Sequence, residues 1–372
     1  MFLNETHLPQ ILNANQYFTS EQYELELKTL FMPGWHCIGT VSELPKNGDF
    51  ITRNLLGHPV IIWRNEDDFH GYLNVCAHRQ CMLSDAIHGH TEKIKCQYHG
   101  WEYDVHGDTC RIPDAKSFRP LSKGSLALIK FRTQICGQLI FISLSDNSPS
   151  LEEFLGPVYK ACQDWASSEW KVALCVEQDL QCNWKLVMEN VVENYHLDMV
   201  HPKSFRKYPE EERCHHQVGE HWTHYQETGG SGSKFLKWQE GVVNRILNYQ
   251  PSSGFQHFHA YPHVCIAYMG LHSWFQMTLP TGSNSSRTLW YFFCYSPSRN
   301  WRLRLAQPIL QNWSRKFFNT ALSEDAHILL SLQQGLQSPK LPGTGLISTR
   351  EERIHHFQKY IHNVTEQHII SV

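Results

Sequence analysis

Two cysteine–histidine pairs constrain this chain more than any other feature. Cys76 and His78 stand in CAHRQC at 76–81, and Cys96 and His99 in CQYHGW at 96–101, with 17 residues between His78 and Cys96. Thiolate and imidazole in equal number suit zinc or an iron–sulfur centre. The single residue inside the first pair argues against zinc, whose ligand pairs usually enclose two to four. The surrounding text is short and β-rich. WHCIGT, DFITR, HPVIIWR, HGYLNV, LALIKF and QLIFISL are broken by Gly, Pro and Asn turns. That pattern predicts a small all-β domain over 35–148, bounded by the turn cluster DNSPS at 146–150.

Composition narrows the setting. The chain carries twelve cysteines and 24 histidines. Its N-terminus, MFLNETHLPQ, lacks a basic stretch followed by an apolar run, so no signal peptide is expected. A reducing cytoplasm is the expected compartment, where clustered Cys and His point to metal rather than disulfides. No apolar stretch approaches the ~18 residues of a membrane span. A net charge of -3 gives no general attraction to nucleic acid or an anionic membrane. With 41% hydrophobic and 19% charged residues, disorder is excluded.

The rest of the 372 residues supplies at least one more domain. Residues 1–34 read as a helical lead-in, with Tyr23, Leu27, Leu30 and Phe31 on one face. Over 149–372 the text runs helix (SLEEFLGPVYKACQDW), strand (KVALCVEQDL), then NWKLVMENVVENYHLDMV as one helix stopped by Pro202. Residues 203–255 are polar and loop-like, with GGSGS at 229–233 as the most flexible point. Within them Cys214, His215, His216, His221 and His224 read as a loop with surface histidines. Residues 257–295 are strands, 301–337 a long helix, and the last 35 residues irregular. The class is therefore α+β, a sheet covered by helices.

The cysteine–histidine text, Cys76-Ala-His78-Arg79 and Cys96-Gln-Tyr98-His99-Gly-Trp101, together with its approach LPKNGDFITRNLLGHPVIIWRNEDDFHGYLNV, resembles the Rieske non-haem iron oxygenases. These are the α subunits of ring-hydroxylating and quaternary-ammonium oxygenases. In a Rieske centre two Cys hold one iron of a [2Fe–2S] cluster and two His hold the other. The resemblance implies these roles for Cys76, Cys96, His78 and His99, with Arg79 and Trp101 packed over the cluster. It also implies a helix-grip, START-like catalytic domain. Cys81 has no partner cysteine, because Tyr98 occupies the matching position, and it reads as a free buried thiol.

A second constellation lies about 100 residues on. Glu193 and His196 are helical i,i+3 neighbours, and His201 follows just before Pro202. Two His and a carboxylate on one face of an iron leave positions open for O2 and substrate. The text Glu189-Asn190-x-x-Glu193-x-Tyr195-His196-x4-His201 matches the family's mononuclear Fe(II) motif. The resemblance implies a third ligand from an aspartate on a C-terminal helix, and Asp325 is the only aspartate after Asp198. It implies that Glu193 bridges His196 to a Rieske histidine of a neighbouring subunit, in a homotrimer. Glu rather than Asp at that position, and the short chain, bring the resemblance to the branch that oxidises carnitine, choline and glycine betaine. A separate NAD(P)H-dependent reductase, of flavin or ferredoxin type, is then required, because no nicotinamide or flavin signature is visible. The expected reaction is monooxygenation, by hydroxylation or oxidative N-demethylation, of a small quaternary amine. The alternatives are an aromatic or natural-product scaffold under the same chemistry, or a Rieske electron carrier that is no enzyme. Aromatics over 220–295 suit a cation cage, a stacked ring or simple core packing. Tyr261-Pro262-His263 departs from the family's usual Pro-Asn.

Overall fold

The computed structural model describes residues 1–121, 124–205, 208–228, 241, 245, 254–343 and 345–371. The GGSGS run at 229–233 lies outside the described residues. The chain forms two compact units, Met32–Leu151, and Met1–Phe31 together with Glu152–Val372.

The first unit is all β. A seven-stranded antiparallel sheet has the order Trp35–Thr40, Leu139–Ser143, Lys130–Cys136, Asp68–Leu73, His58–Asn65, Asp49–Leu55 and His88–His90. A smaller sheet joins Ile94–Lys95, Glu102–Tyr103 and Thr109–Arg111. Between them lies a core of Phe50, Ile61, Trp63, Tyr72, Trp101 and Tyr103, into which Cys76 and Cys96 are packed. The strand His58–Asn65 is buried on both faces over Val60–Trp63, and Ile61 and Trp63, two residues apart, are the ones that enter that core.

The second unit is a sheet with helices on both faces. Its strands are β1 (Trp170–Leu180), β2 (Cys214–Val218), β3 (Trp222–Glu227), β4 (Phe255–Ala260), β5 (Val264–Met269), β6 (His272–Gly282) and β7 (Ser285–Tyr295). Their order is β1-β7-β6-β5-β4-β3-β2, antiparallel throughout. The helices are α1 (Ser20–Glu26), α2 (Pro157–Trp165), α3 (Trp184–Val192), α4 (Leu197–Val200), α5 (Trp301–Leu336) and α6 (Glu352–Ser371). Trp165, ending α2, meets Phe258 and Tyr268 on one face. On the other, Phe318 of α5 stacks on Phe292 at 4.0 Å, and Glu352 of α6 pairs with His216 at 2.7 Å. Register puts His216, Tyr225, His257, Ala267, Trp274 and Phe292 in one row across this helix-rich face.

Four sequence expectations need correction. The last 35 residues are not irregular, because α6 covers the sheet and Glu352 also receives Leu3 and Asn4 of the N-terminal segment. Residues 203–255 are not all loop, because they contain β2 and β3. The histidines of 214–224 are not all surface groups. His216 is buried against Glu352, and His224 is buried with its ring stacked 4.0 Å from Phe258. On β2 buried residues alternate with more exposed ones, but no hydrophobic period marks the strand because buried residues here, such as His216, Thr223, His224 and Glu227, are polar. Cys81 is a free thiol but only half-buried.

Candidate metal centres

The cysteine–histidine pairs sit on two loops of the same design. In each, the residue four after the cysteine donates its N–H to the cysteine carbonyl: Gln80 to Cys76 and Gly100 to Cys96, both at 3.0 Å. The residue five after accepts from the cysteine N–H: Cys81 and Trp101, both at 2.8 Å. This closure needs left-handed backbone at the fourth position. Gly100 supplies it freely at φ 72°, whereas Gln80 is forced there at φ 53°. The cysteines are buried, His78 is half-buried and His99 exposed. The rings of His78 and His99 lie 4.8 Å apart, and Trp101 stacks on His78 at 4.7 Å and 4°. Arg79 lies over Tyr98 at 5.7 Å.

This donor set fits a cluster. Nδ1 of His78 is buried with no hydrogen-bond partner among the described residues, as expected of an atom reserved for a metal. Tyr103, which sequence reading missed, brings its hydroxyl 3.0 Å from Cys76 Sγ and accepts from Ala77 N at 3.1 Å. Hydrogen bonds to cluster sulfurs tune potential. No spacing signal marks Tyr103, whose approach is made by the strand Glu102–Tyr103.

The second constellation forms where a helix fails. Asn183 caps α3 by accepting from Lys185 N at 3.0 Å, but α3 stops at Val192, not at 200. Glu193 is extended, at φ -119° and ψ 172°. Its carboxylate accepts the backbone N–H of Tyr195 and, at 3.3 Å, of His196, replacing the helical acceptors. The shared helical face expected of Glu193 and His196 is therefore absent. The pair meets through a turn instead, with the Glu193 carboxylate on Nδ1 of His196. One short turn, α4, carries the chain to His201.

His196, His201 and Asp325 converge. The two Nε2 atoms are 3.2 Å apart, and an Asp325 oxygen lies 3.2 Å from that of His201 and 3.8 Å from that of His196. Each imidazole has its far nitrogen on a carboxylate: His196 Nδ1 on Glu193, and His201 Nδ1 on Glu324 at 3.0 Å. In neutral imidazoles that places both protons on Nδ1 and both lone pairs on Nε2. Two nitrogen lone pairs and a carboxylate then face one another with no proton to share, an arrangement a divalent cation satisfies. Burial opposes charge on His201, but Asp325 and Glu324 outweigh it and hold its pKa above the usual value. The same field favours a metal ion.

Two supporting residues escaped the sequence. Glu324 also accepts from Ser204 Oγ at 2.7 Å, and Asn190 Nδ2 donates to Asp325 at 3.0 Å. Glu324 was legible only as half of an acidic pair. Asp198 is turned elsewhere, accepting from Tyr208 N at 2.6 Å. The aromatics of 220–295 divide by face: Tyr225, Trp274, Trp290 and Phe292 on the side of α5 and α6, Phe258, Tyr268, Phe275 and Tyr291 on that of α2. His263 is buried against Phe31 and Phe154.

Family comparison decides the class. Residues 166–367 match the model of the ring hydroxylating alpha subunit catalytic domain, and residues 34–130 match that of the Rieske [2Fe–2S] domain. The chain belongs to the Rieske ring-hydroxylating α-subunit family. This oxygenase is 25% identical over 371 residues to the carnitine monooxygenase oxygenase subunit of Acinetobacter pittii, covering 95% of this chain and 93% of that one. It is 31% identical to the benzene 1,2-dioxygenase α subunit of Pseudomonas putida, over 46% of this chain and 40% of that one. Its fold is that of the quaternary ammonium Rieske monooxygenase CntA solved with L-carnitine, at TM-score 0.75, 20% identity and coverage of 97% and 96%. The cofactors of the oxygenase family are the Rieske cluster and mononuclear non-haem iron.

Proposed function

We propose that this chain is the oxygenase component of a multicomponent system that monooxygenates a small quaternary amine. Cys76, His78, Cys96 and His99 would hold the [2Fe–2S] cluster on a Rieske domain spanning 35–148. His196, His201 and Asp325 would hold Fe(II) in a catalytic domain spanning 149–372, to which the lead-in 1–34 belongs. The observation that carries the reading is the convergence of two imidazole lone pairs and one carboxylate, each imidazole oriented by a second carboxylate. Bound there, iron would supply O2 reduction and C–H oxidation, with electrons drawn from the cluster.

The chain's own residues do the rest. Glu193 and Glu324 fix tautomer and ring orientation. Asn190 donates to Asp325 and fixes the orientation of its carboxylate toward the two imidazoles. Glu193, on His196 Nδ1, also supplies the link in an electron path from a Rieske histidine of a neighbouring copy. That role makes a homotrimer the reading for assembly. NAD(P)H enters through a separate reductase, in the cytoplasm. Among the described residues no helix is long and apolar enough to cross a membrane.

The quaternary-amine reading rests on relatives named for carnitine and glycine betaine. The former match along nearly the whole chain, the latter over half of it. An aromatic substrate is the second reading, supported by the benzene dioxygenase relative. Iron and acid-labile sulfide on anaerobically purified protein test the sites, and about three iron to two sulfide is expected. Two iron to two sulfide after Fe(II) is restored would leave an electron carrier. NADH consumption with a competent reductase should rise with carnitine, choline or betaine and yield formaldehyde or an aldehyde. Silence across that panel rejects the substrate class.

A further inference from the structure

Arg353, on α6, is 1% exposed. Each nitrogen of its guanidinium has an acceptor. Nε donates to Thr223 Oγ1 on β3 at 3.1 Å, one terminal nitrogen to the Val192 carbonyl at 2.9 Å, and the other to His257 Nδ1 on β4 at 2.9 Å. All three acceptors are neutral, and among the described residues no carboxylate pairs with it. Buried charges are ordinarily paired. Burial lowers its pKa to about 10, which still leaves the cation charged at neutral pH.

Val192 is the last residue of α3. The final carbonyls of a helix have no intrahelical donor and carry the negative end of its dipole. Helices often close by a glycine in left-handed conformation. Here the next residue is Glu193, extended at φ -119° and ψ 172°, and the guanidinium of Arg353 meets the exposed carbonyl instead. The helix end is thus the negative group that faces the buried cation.

The other elements that Arg353 touches are held by bonds of their own. The first turn of α6 is fixed by Glu352, which accepts from Leu3 N at 2.8 Å and Asn4 N at 3.0 Å and pairs with His216 Nδ1 at 2.7 Å. Strands β3 and β4 are paired along their whole length, from Trp222 with Ala260 to Glu227 with Phe255. The end of α3 has no such ladder beyond it. Glu193 follows Val192 directly, and its carboxylate takes the Tyr195 and His196 N–H groups and Nδ1 of His196. A shift of the Val192 carbonyl therefore moves Glu193, and with it the ring whose Nε2 faces His201 and Asp325.

We propose that Arg353 is a positioning residue of the mononuclear centre, fixing the end of α3 and so the point at which Glu193 leaves the helix to orient His196. It acts through Val192 and Glu193. This rests on the oxygenase reading, in which the triad holds a metal, and adds to that site a support from α6.

Cobalt(II) titration of the full chain, stripped of mononuclear metal but keeping its cluster, tests the proposal together with amide hydrogen exchange of the same metal-free protein. Arg353→Met keeps the length of the side chain and removes its donors and charge. It should raise the cobalt dissociation constant about tenfold, the low end for loss of an orienting support. Exchange of the Tyr195 and His196 amides should quicken at least tenfold, while β3, β4 and the cluster's visible spectrum stay native. Arg353→Lys, which keeps the cation and a donor for the Val192 carbonyl, should remain within threefold of the native protein in both measurements. Should Arg353→Met fail to fold, the uncharged Arg353→Gln takes its place under the same criteria. Native cobalt affinity and native protection in Arg353→Met overturn the proposal. So does faster exchange that spreads through β3 and β4, which would make Arg353 a packing residue, or a loss in Arg353→Lys as large as in Arg353→Met. A native chain that takes no cobalt at the triad rejects the oxygenase reading, and the exchange of the Tyr195 and His196 amides, measured without metal, still decides what Arg353 holds.

Discussion

The two metal regions are built in opposite ways. The cluster loops are local devices. Within six residues each loop binds its own cysteine by two backbone hydrogen bonds, and only the meeting of the two loops is tertiary. The mononuclear triad is assembled at long range. Two of its ligands sit on a broken helix, the third lies 124 residues beyond His201 on α5, and every orienting contact is a side chain. Locally closed loops tolerate loss of a neighbour, whereas an assembled triad depends on each of its supports.

The sharpest break in that comparison is Asp325→Ala. Removing one of three ligands should abolish turnover and mononuclear iron while leaving the cluster's visible spectrum intact, as read by iron-to-sulfide ratio. Retained iron would remove Asp325 from the ligand set. Next comes Glu193→Gln, which should keep all the iron yet slow turnover on the order of 10–100-fold, the usual cost of losing an orienting carboxylate. Unchanged turnover would end its bridging role.

Helix α3, which carries Asn190, also holds a group with a pH signature. Glu189 on α3 is held by Tyr17 at 2.6 Å and Gln358 at 3.0 Å, near the buried pair Lys185–Glu26. Burial pushes its carboxyl up to about 7. A raised carboxyl pKa means that the folded state holds its proton longer than the unfolded chain. Its contribution is full below pH ~4.5 and lost as pH rises through about 7. Stability should fall by about 2 kcal/mol from pH 5 to pH 7 on this account. Thermal melts of Glu189→Gln should lose that slope; an unaltered slope would assign it elsewhere. The smallest effect belongs to the local loops. Gln80→Gly should stabilise the first unit by about 1 kcal/mol and keep the cluster, because Gln80 sits at positive φ where Gly100 sits in the twin loop. A lower melting temperature would show that the Gln80 side chain matters more than its backbone.

Sequence reading succeeded where a residue's role depends on its neighbours in the chain. The cysteine–histidine pairs, the β-rich runs around them, the long helix after 301 and the two imidazoles of 196 and 201 are of this kind. Motif spacing also led to Glu193 and Asp325, through resemblance rather than geometry. What only the tertiary structure decided depends on partners far along the chain. Helical periodicity ran through Glu193, yet the carboxylate competes for the backbone N–H groups and ends α3 there. The last residues looked irregular because the buried face of α6 includes Glu352, Arg353 and Gln358, polar groups that are stable inside only with partners elsewhere in the chain. Glu324, Asn190, Tyr103 and His257 carry no local signature either. Their roles come from hydrogen bonds closed across strands and helices, and a buried hydrogen bond leaves no period in the sequence.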